Sequence, residues 1–127
     1  MNIRNSEMEI MEALWSSQEP LSSAALIDAI PQRKWKERSN FAILDGLLKK
    51  GLIYEAGFVR RGKTIARTFA PTVTHSDFLA QQMAQSPNRP ALPALMSAFL
   101  NVEDVTQETL DELEELIAKR KAELQND

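Results

Sequence analysis

With 127 residues, 43% of them hydrophobic and 26% charged, the chain has the makeup of a soluble globular protein: one ordinary domain, or a small domain with an oligomerisation tail. It holds no cysteine, which excludes disulfides, thiolate metal sites and a cysteine nucleophile. The net charge of −3 is unevenly spread: residues 33–67 carry ten Lys or Arg against three Asp or Glu (net +7), and residues 75–127 carry four against ten (net −6). Such asymmetry suits a basic binding surface on an acidic scaffold.

The N-terminus carries Glu7, Glu9 and Glu12 and no long apolar run, so no signal peptide is expected, and no stretch approaches the roughly 18 apolar residues of a membrane span. The expected compartment is the cytoplasm. A first helix is predicted over Ser6–Trp15, with Ser6 and Glu9 as a capping box and Ile10, Met11, Leu14 and Trp15 at helical spacing. Glu19-Pro20 breaks it. Ser22 or Ser23 then caps a short second helix running to about Ile30, with Ala25, Leu26 and Ile30 inward, and Pro31 ends it.

A basic loop, Gln32 to Lys36, leads into the most periodic run of the chain, KERSNFAILDGLLKKG. Ile43, Leu44, Leu47 and Leu48 fall on one face, and Arg38, Ala42, Asp45 and Lys49 on the other. Gly51 is a natural left-handed stop. A hairpin is predicted from about Ile53 to Ala70, with Arg60, Arg61, Gly62 and Lys63 at its tip and Pro71 closing it. A helix followed by a cationic hairpin suits a duplex, the helix in the major groove and the hairpin on the phosphates, as in a winged helix-turn-helix.

Helical patterning returns at Thr74, which with Asp77 makes a capping box for a helix over His75–Gln85. Ser86 to Pro90 is a hinge-like break. Ala91–Leu100 is a short, very apolar helix, and Thr106 caps a last one to about Leu124 with Leu110, Leu113, Leu116, Ile117 and Leu124 on a stripe. The acidic cluster at 103–115 is expected to be solvated and to favour the N-terminal end of that helix. These segments are too short to build a good core in one copy, so pairing with a second copy is expected.

The fold class expected is thus mainly α with a small β-hairpin: a winged helix-turn-helix domain over 1–73 followed by a helical dimerisation region over 74–127. Candidate DNA contacts are Ser22, Arg38, Ser39, Phe41, Ala42, Asp45, Lys49, Lys50, Arg60, Arg61 and Lys63. Candidate dimer contacts are Leu79, Met83, Leu92, Leu95, Met96, Phe99, Leu100, Leu110, Leu113, Leu116 and Ile117. The expected partners are double-stranded DNA and a second copy of the chain.

Ser6-Glu7, Glu9, Met11, Leu14-Trp15, Pro20-Leu21-Ser22, Trp35, Leu47, Lys49-Lys50-Gly51-Leu52 and Pro71 together resemble the penicillinase and methicillin-resistance repressors (BlaI/MecI type). The segment LMSAFLNVEDVTQETLDELEELI, Leu95 to Ile117, extends the resemblance over nearly the whole chain. It implies a cytoplasmic homodimeric repressor on a palindromic operator. It further implies that the third helix reads bases while the wing and neighbouring loops hold phosphates, with Arg38 and Ser39 matching the usual basic and threonine contacts. Phe41 stands where the family usually has arginine, Ala42 where it has threonine, and Gly46 replaces a common arginine. In several members a sensor protease ends repression by cutting before a phenylalanine, and Ala98-Phe99 matches that position. Phe99 also reads as a dimer-core residue.

Those departures leave alternatives open. Phe41 touches thymine methyls, packs against the sugar edge, or packs sideways against Trp35 or Phe58. Asn40 is a satisfied buried amide or reaches adenine N6/N7. Gly46 costs the helix about 1 kcal/mol relative to alanine, and serves close approach to the DNA backbone or nothing. The stretch from Gly51 to Pro71 is long for the family, so the wing is expected to reach further along the duplex.

No cofactor or metal is expected: His75 is the only histidine, and without cysteine the paired thiolates of a copper-responsive branch cannot form. His75 is expected to be a capping or surface residue. No phosphate-binding glycine loop and no nucleophile–histidine–carboxylate set is evident, so no enzymatic activity is expected. The competing class is a winged-helix module that docks another protein through the third helix and Phe41. A membrane-surface role is disfavoured because the polar face of the last helix is acidic.

Overall fold

The computed structural model describes residues 2–102 and 104–126; Glu103, in the acidic cluster, lies outside the described residues. The first helix, α1 (Asn5–Ser16), is anchored at its start by the Arg4 N–H donating to Glu7 Oε1 at 2.9 Å, so the capping interaction falls earlier than the expected Ser6–Glu9 box. Glu7 turns inward on the stripe that also buries Ile10, Met11 and Leu14. A two-residue strand, β1 (Leu21–Ser22), follows, then α2 (Ser23–Ala29), where Ser22 Oγ accepts from the Ala25 N–H at 3.2 Å. β1 was not legible in the pattern, because a two-residue strand has no periodicity to show.

The third helix is shorter than expected from Lys36–Gly51. Its first turn, Glu37–Ser39, is a 3-10 turn, and α3 proper spans Asn40–Lys49. At the other end the chain closes with Leu52 N donating to Leu47 O (3.1 Å) and Gly51 N to Leu48 O (3.0 Å), Gly51 at φ +73. This is the Schellman arrangement that glycine makes possible. The hairpin is as expected: β2 (Ile53–Arg61) and β3 (Thr64–Pro71) pair antiparallel through a two-residue turn, Gly62-Lys63. Gly62, at φ +60, takes the first central position, where a II′ turn requires glycine. A bulge lies between Glu55 and Gly57, and the sheet order is β1-β3-β2.

Phe69, on β3 opposite Leu21, sits in a core with Ile10, Met11, Leu14, Leu26, Ile30, Leu44, Leu47, Leu52, Ile53 and Phe78. Phe78 belongs to α4 (His75–Gln85), whose N-cap Thr74 accepts from the Asp77 N–H at 3.0 Å. Trp15 fastens this helix. Its Nε1–H donates to Val73 O at 2.9 Å, and its ring stacks on His75 with centroids 4.4 Å apart and planes 9° off parallel. His75 is therefore a stacking partner of an α1 residue. These contacts draw α4 into the first compact unit, which runs to Ser86; the second begins at Pro87.

The second unit contains α5 (Leu92–Val102) and α6 (Gln107–Gln125), the latter capped by Thr106, which accepts from the Thr109 N–H at 3.1 Å. Neither helix has a fully buried residue among those described. Leu95, Met96, Leu110 and Leu113 are half-buried, while Leu92, Phe99, Leu100, Leu116 and Ile117 are exposed.

Candidate nucleic-acid interface

Packing decides which side chains of α3 are free to meet a ligand. Leu44 and Leu47 face the core, and Asn40 is only 1% exposed. Its Oδ1 accepts from Trp35 Nε1 (2.9 Å), and its Nδ2 donates to Ser23 Oγ (2.8 Å) and Ser23 O (3.2 Å). Asn40 is thus a satisfied buried amide that ties the start of α3 to the start of α2. Phe41, Ala42, Asp45 and Lys49 are left exposed, with Arg38 just ahead of them and Ser39 half-buried. Asp45 and Lys49 pair along the helix at 3.3 Å, both in solvent, a contact worth little.

Two of the expected DNA contacts, Ser22 and Lys50, are engaged within the domain. Ser22 is buried, its hydroxyl occupied in capping α2. Lys50 Nζ donates to Glu7 Oε1 at 2.5 Å and to Asn2 O at 2.8 Å. Burial pushes the Glu7 carboxyl up, but Lys50, the Arg4 N–H and the nearby Arg4 charge outweigh it and hold the group below its ordinary value. Gly46 faces this carboxylate: a Cβ there would stand 3.0 Å from Glu7 Oε2.

Cross-strand pairs set the faces of the wing. Arg60 stands opposite Ile65 and Phe58 opposite Arg67, and directly opposed residues share a face. On this face Ile65 and Arg67 join Phe41, Ala24 and Ile27 around a groove of about 320 Å³ between α2, α3 and β3. Phe41 lies 59% exposed at its margin and does not pack into the core. Arg67 pairs with Glu55 and lies over the Phe69 ring, 5.2 Å from its centroid. By contrast Arg38, Arg60, Arg61 and Lys63 are exposed and have no carboxylate partner among the described residues.

The contribution of Ile65 and Arg67 to the groove was missed in the sequence, although their alternation along β3 with Phe69 is the signal that places them on one face. A helix stop, a two-residue turn and a paired hairpin thus present one exposed helical face beside a cationic wing.

Residues 3–119 match the family model described as "Penicillinase repressor". The chain belongs to the penicillinase repressor family. Family and fold are those of DNA-binding, winged helix-turn-helix transcriptional regulators, not of enzymes. Two solved structures share the fold at low identity. One is Bacillus subtilis PadR in complex with operator DNA, TM-score 0.51 and 18% identity, covering 97% of this chain and 75% of that one. The other is a mutant of S. aureus MepR, TM-score 0.51 and 17% identity, covering 96% of this chain and 80% of that one. No curated protein sequence matches the chain. No helix among the described residues is long and apolar enough to cross a membrane.

Proposed function

We propose that this member of the penicillinase repressor family acts in the cytoplasm as a homodimer on a palindromic operator. The face Phe41, Ala42, Asp45 and Lys49 enters the major groove, and Arg38 with the wing cations holds the flanking phosphates. The observation that carries the reading is a set of exposed cations with no carboxylate partner among the described residues: Arg38 at the head of that face and Arg60, Arg61 and Lys63 on the hairpin tip. The likeness of fold to PadR, which is seen with operator DNA, supports the same use of helix and wing.

Dimerisation is supported by the apolar side chains that α5 and α6 leave in solvent, Leu92, Phe99, Leu116 and Ile117 among them. Leu79 and Met83 of α4 are exposed in the same way. A two-fold protein doubles the contact with a two-fold site, and joining two heads raises affinity far beyond that of one. Cleavage of Ala98–Phe99 by a sensor protease would sever α6 from the winged domain and abolish that gain. Because the bond lies within α5, the helix must open locally before a protease can reach it.

The test is selection from a random duplex library, with affinity then followed across salt concentrations and dimer mass measured by ultracentrifugation. An enriched palindrome with half-sites about one helical turn apart is expected. No enrichment together with salt-independent affinity would sink the repressor reading and favour a winged-helix module for protein partners.

A further inference from the structure

We infer that Phe41 is a specificity-determining residue of the reading helix, and that it recognises the C5 methyl of thymine. This rests on the DNA reading proposed above. Between Ser39 and Asp45 the helix exposes only Phe41, Ala42 and Asp45 fully, because Asn40 is buried and hydrogen-bonded and Leu44 lies in the core. No guanidinium, ammonium or amide in that stretch can donate to guanine O6 and N7 or to adenine N7. Asp45 offers only acceptors, which suit the cytosine amino group and not a thymine methyl. The apolar group that a base edge presents in the major groove is the thymine methyl.

Phe41 is placed to meet it. It stands on the first turn of α3, 59% exposed, outside the core, and shares a groove with Ile65 and Arg67 of the wing. A large aromatic ring left in water is unfavourable in the free protein, and covering it with an apolar surface relieves that cost. The neighbouring cations bring a phosphate backbone to this position, so the covering surface is the base-edge floor of the major groove. The Ala42 methyl lies one residue on and extends the apolar contact.

The experiment replaces thymine by deoxyuridine, one position at a time, in the duplex selected by the protein. This removes the methyl and leaves every hydrogen-bonding edge intact. One thymine per half-site is expected to be sensitive. Losing one buried methyl lowers affinity about fourfold, and losing both in a two-fold site about 15-fold. F41A is expected to bind thymine and deoxyuridine duplexes alike, and F41L, still apolar, to retain most of the discrimination. Because Phe41 lies outside the core, both variants are expected to fold, which circular dichroism and thermal melting check directly. If every thymine can be replaced without loss, or if F41A keeps the full penalty, the assignment is overturned while DNA binding stands. If no duplex is selected at all, both readings fall.

Discussion

Gly46 of α3 lies against Glu7 of α1, so closely that a methyl in place of its hydrogen would stand 3.0 Å from Glu7 Oε2. That carboxylate cannot easily retreat, being held by Lys50 Nζ and the Arg4 N–H. The glycine is the space into which a buried acid fits.

Ordinarily a glycine-to-alanine change inside a helix gains about 1 kcal/mol. Here the crowding opposes the gain, so G46A is expected to leave stability unchanged or lower it by about 1 kcal/mol. With Glu7 shortened in E7A, the same change is expected to recover its intrinsic benefit. The two substitutions should therefore be non-additive in a double-mutant cycle read by urea unfolding. Additive effects would show that Glu7 does not explain the glycine.

The same carboxyl sets an acid limit on stability. Its pKa in the folded protein lies below the ordinary 4.5, so it contributes stability that is complete above that value. As pH falls through 4.5 the unfolded chain takes up the proton first, and stability drops until the folded group also protonates. E7Q is expected to flatten this part of the stability–pH curve. K50M, which leaves the acid buried without its ammonium, is expected to cost about 2–3 kcal/mol at neutral pH, less than a fully buried pair because Lys50 keeps some contact with water. A K50M protein as stable as the parent would remove Lys50 from the packing and return it to the surface.

Asn40 supplies a third prediction. N40A would leave the Trp35 N–H and the Ser23 hydroxyl without their partner and open a small void, a loss of about 2–4 kcal/mol. At temperatures where the variant stays folded, its selected DNA sequence is expected to match the parent's. A changed base preference at one position would put Asn40 back among the base-reading residues.

How much of this is legible in the sequence differs from element to element. The helices and the hairpin announce themselves through periodicity, Pro20, Pro31, Gly51 and Gly62, which are local signals and need no knowledge of the fold. Ser22 looks like a cap and is one, but its burial depends on β3 lying alongside, 46 residues on at Thr68. The pairing of Glu7 with Lys50 spans 43 residues, and no spacing rule reaches that far. Glu7 does carry one hint, an acid on the stripe of Ile10, Met11 and Leu14. For Phe41 both packing and exposure were open, since the period of a helix says which residues share a face and not what covers it.

The wing and the helix flank separate two ways in which a cation contributes. Arg61 has no carboxylate partner among the described residues, whereas Lys50 is held by Glu7. R61Q is accordingly expected to leave thermal stability unchanged and to reduce the salt slope of DNA affinity, by about 0.9 for each phosphate no longer neutralised and so about 1.8 for a dimer. R38Q is expected to behave in the same way. K50Q should do the reverse, lowering stability with little change of slope in the protein that remains folded. Paired melting curves and salt titrations on these three variants read both effects in one set of samples. If R61Q and R38Q leave the slope unchanged, their positive charge is merely solvated and the wing does not touch the duplex.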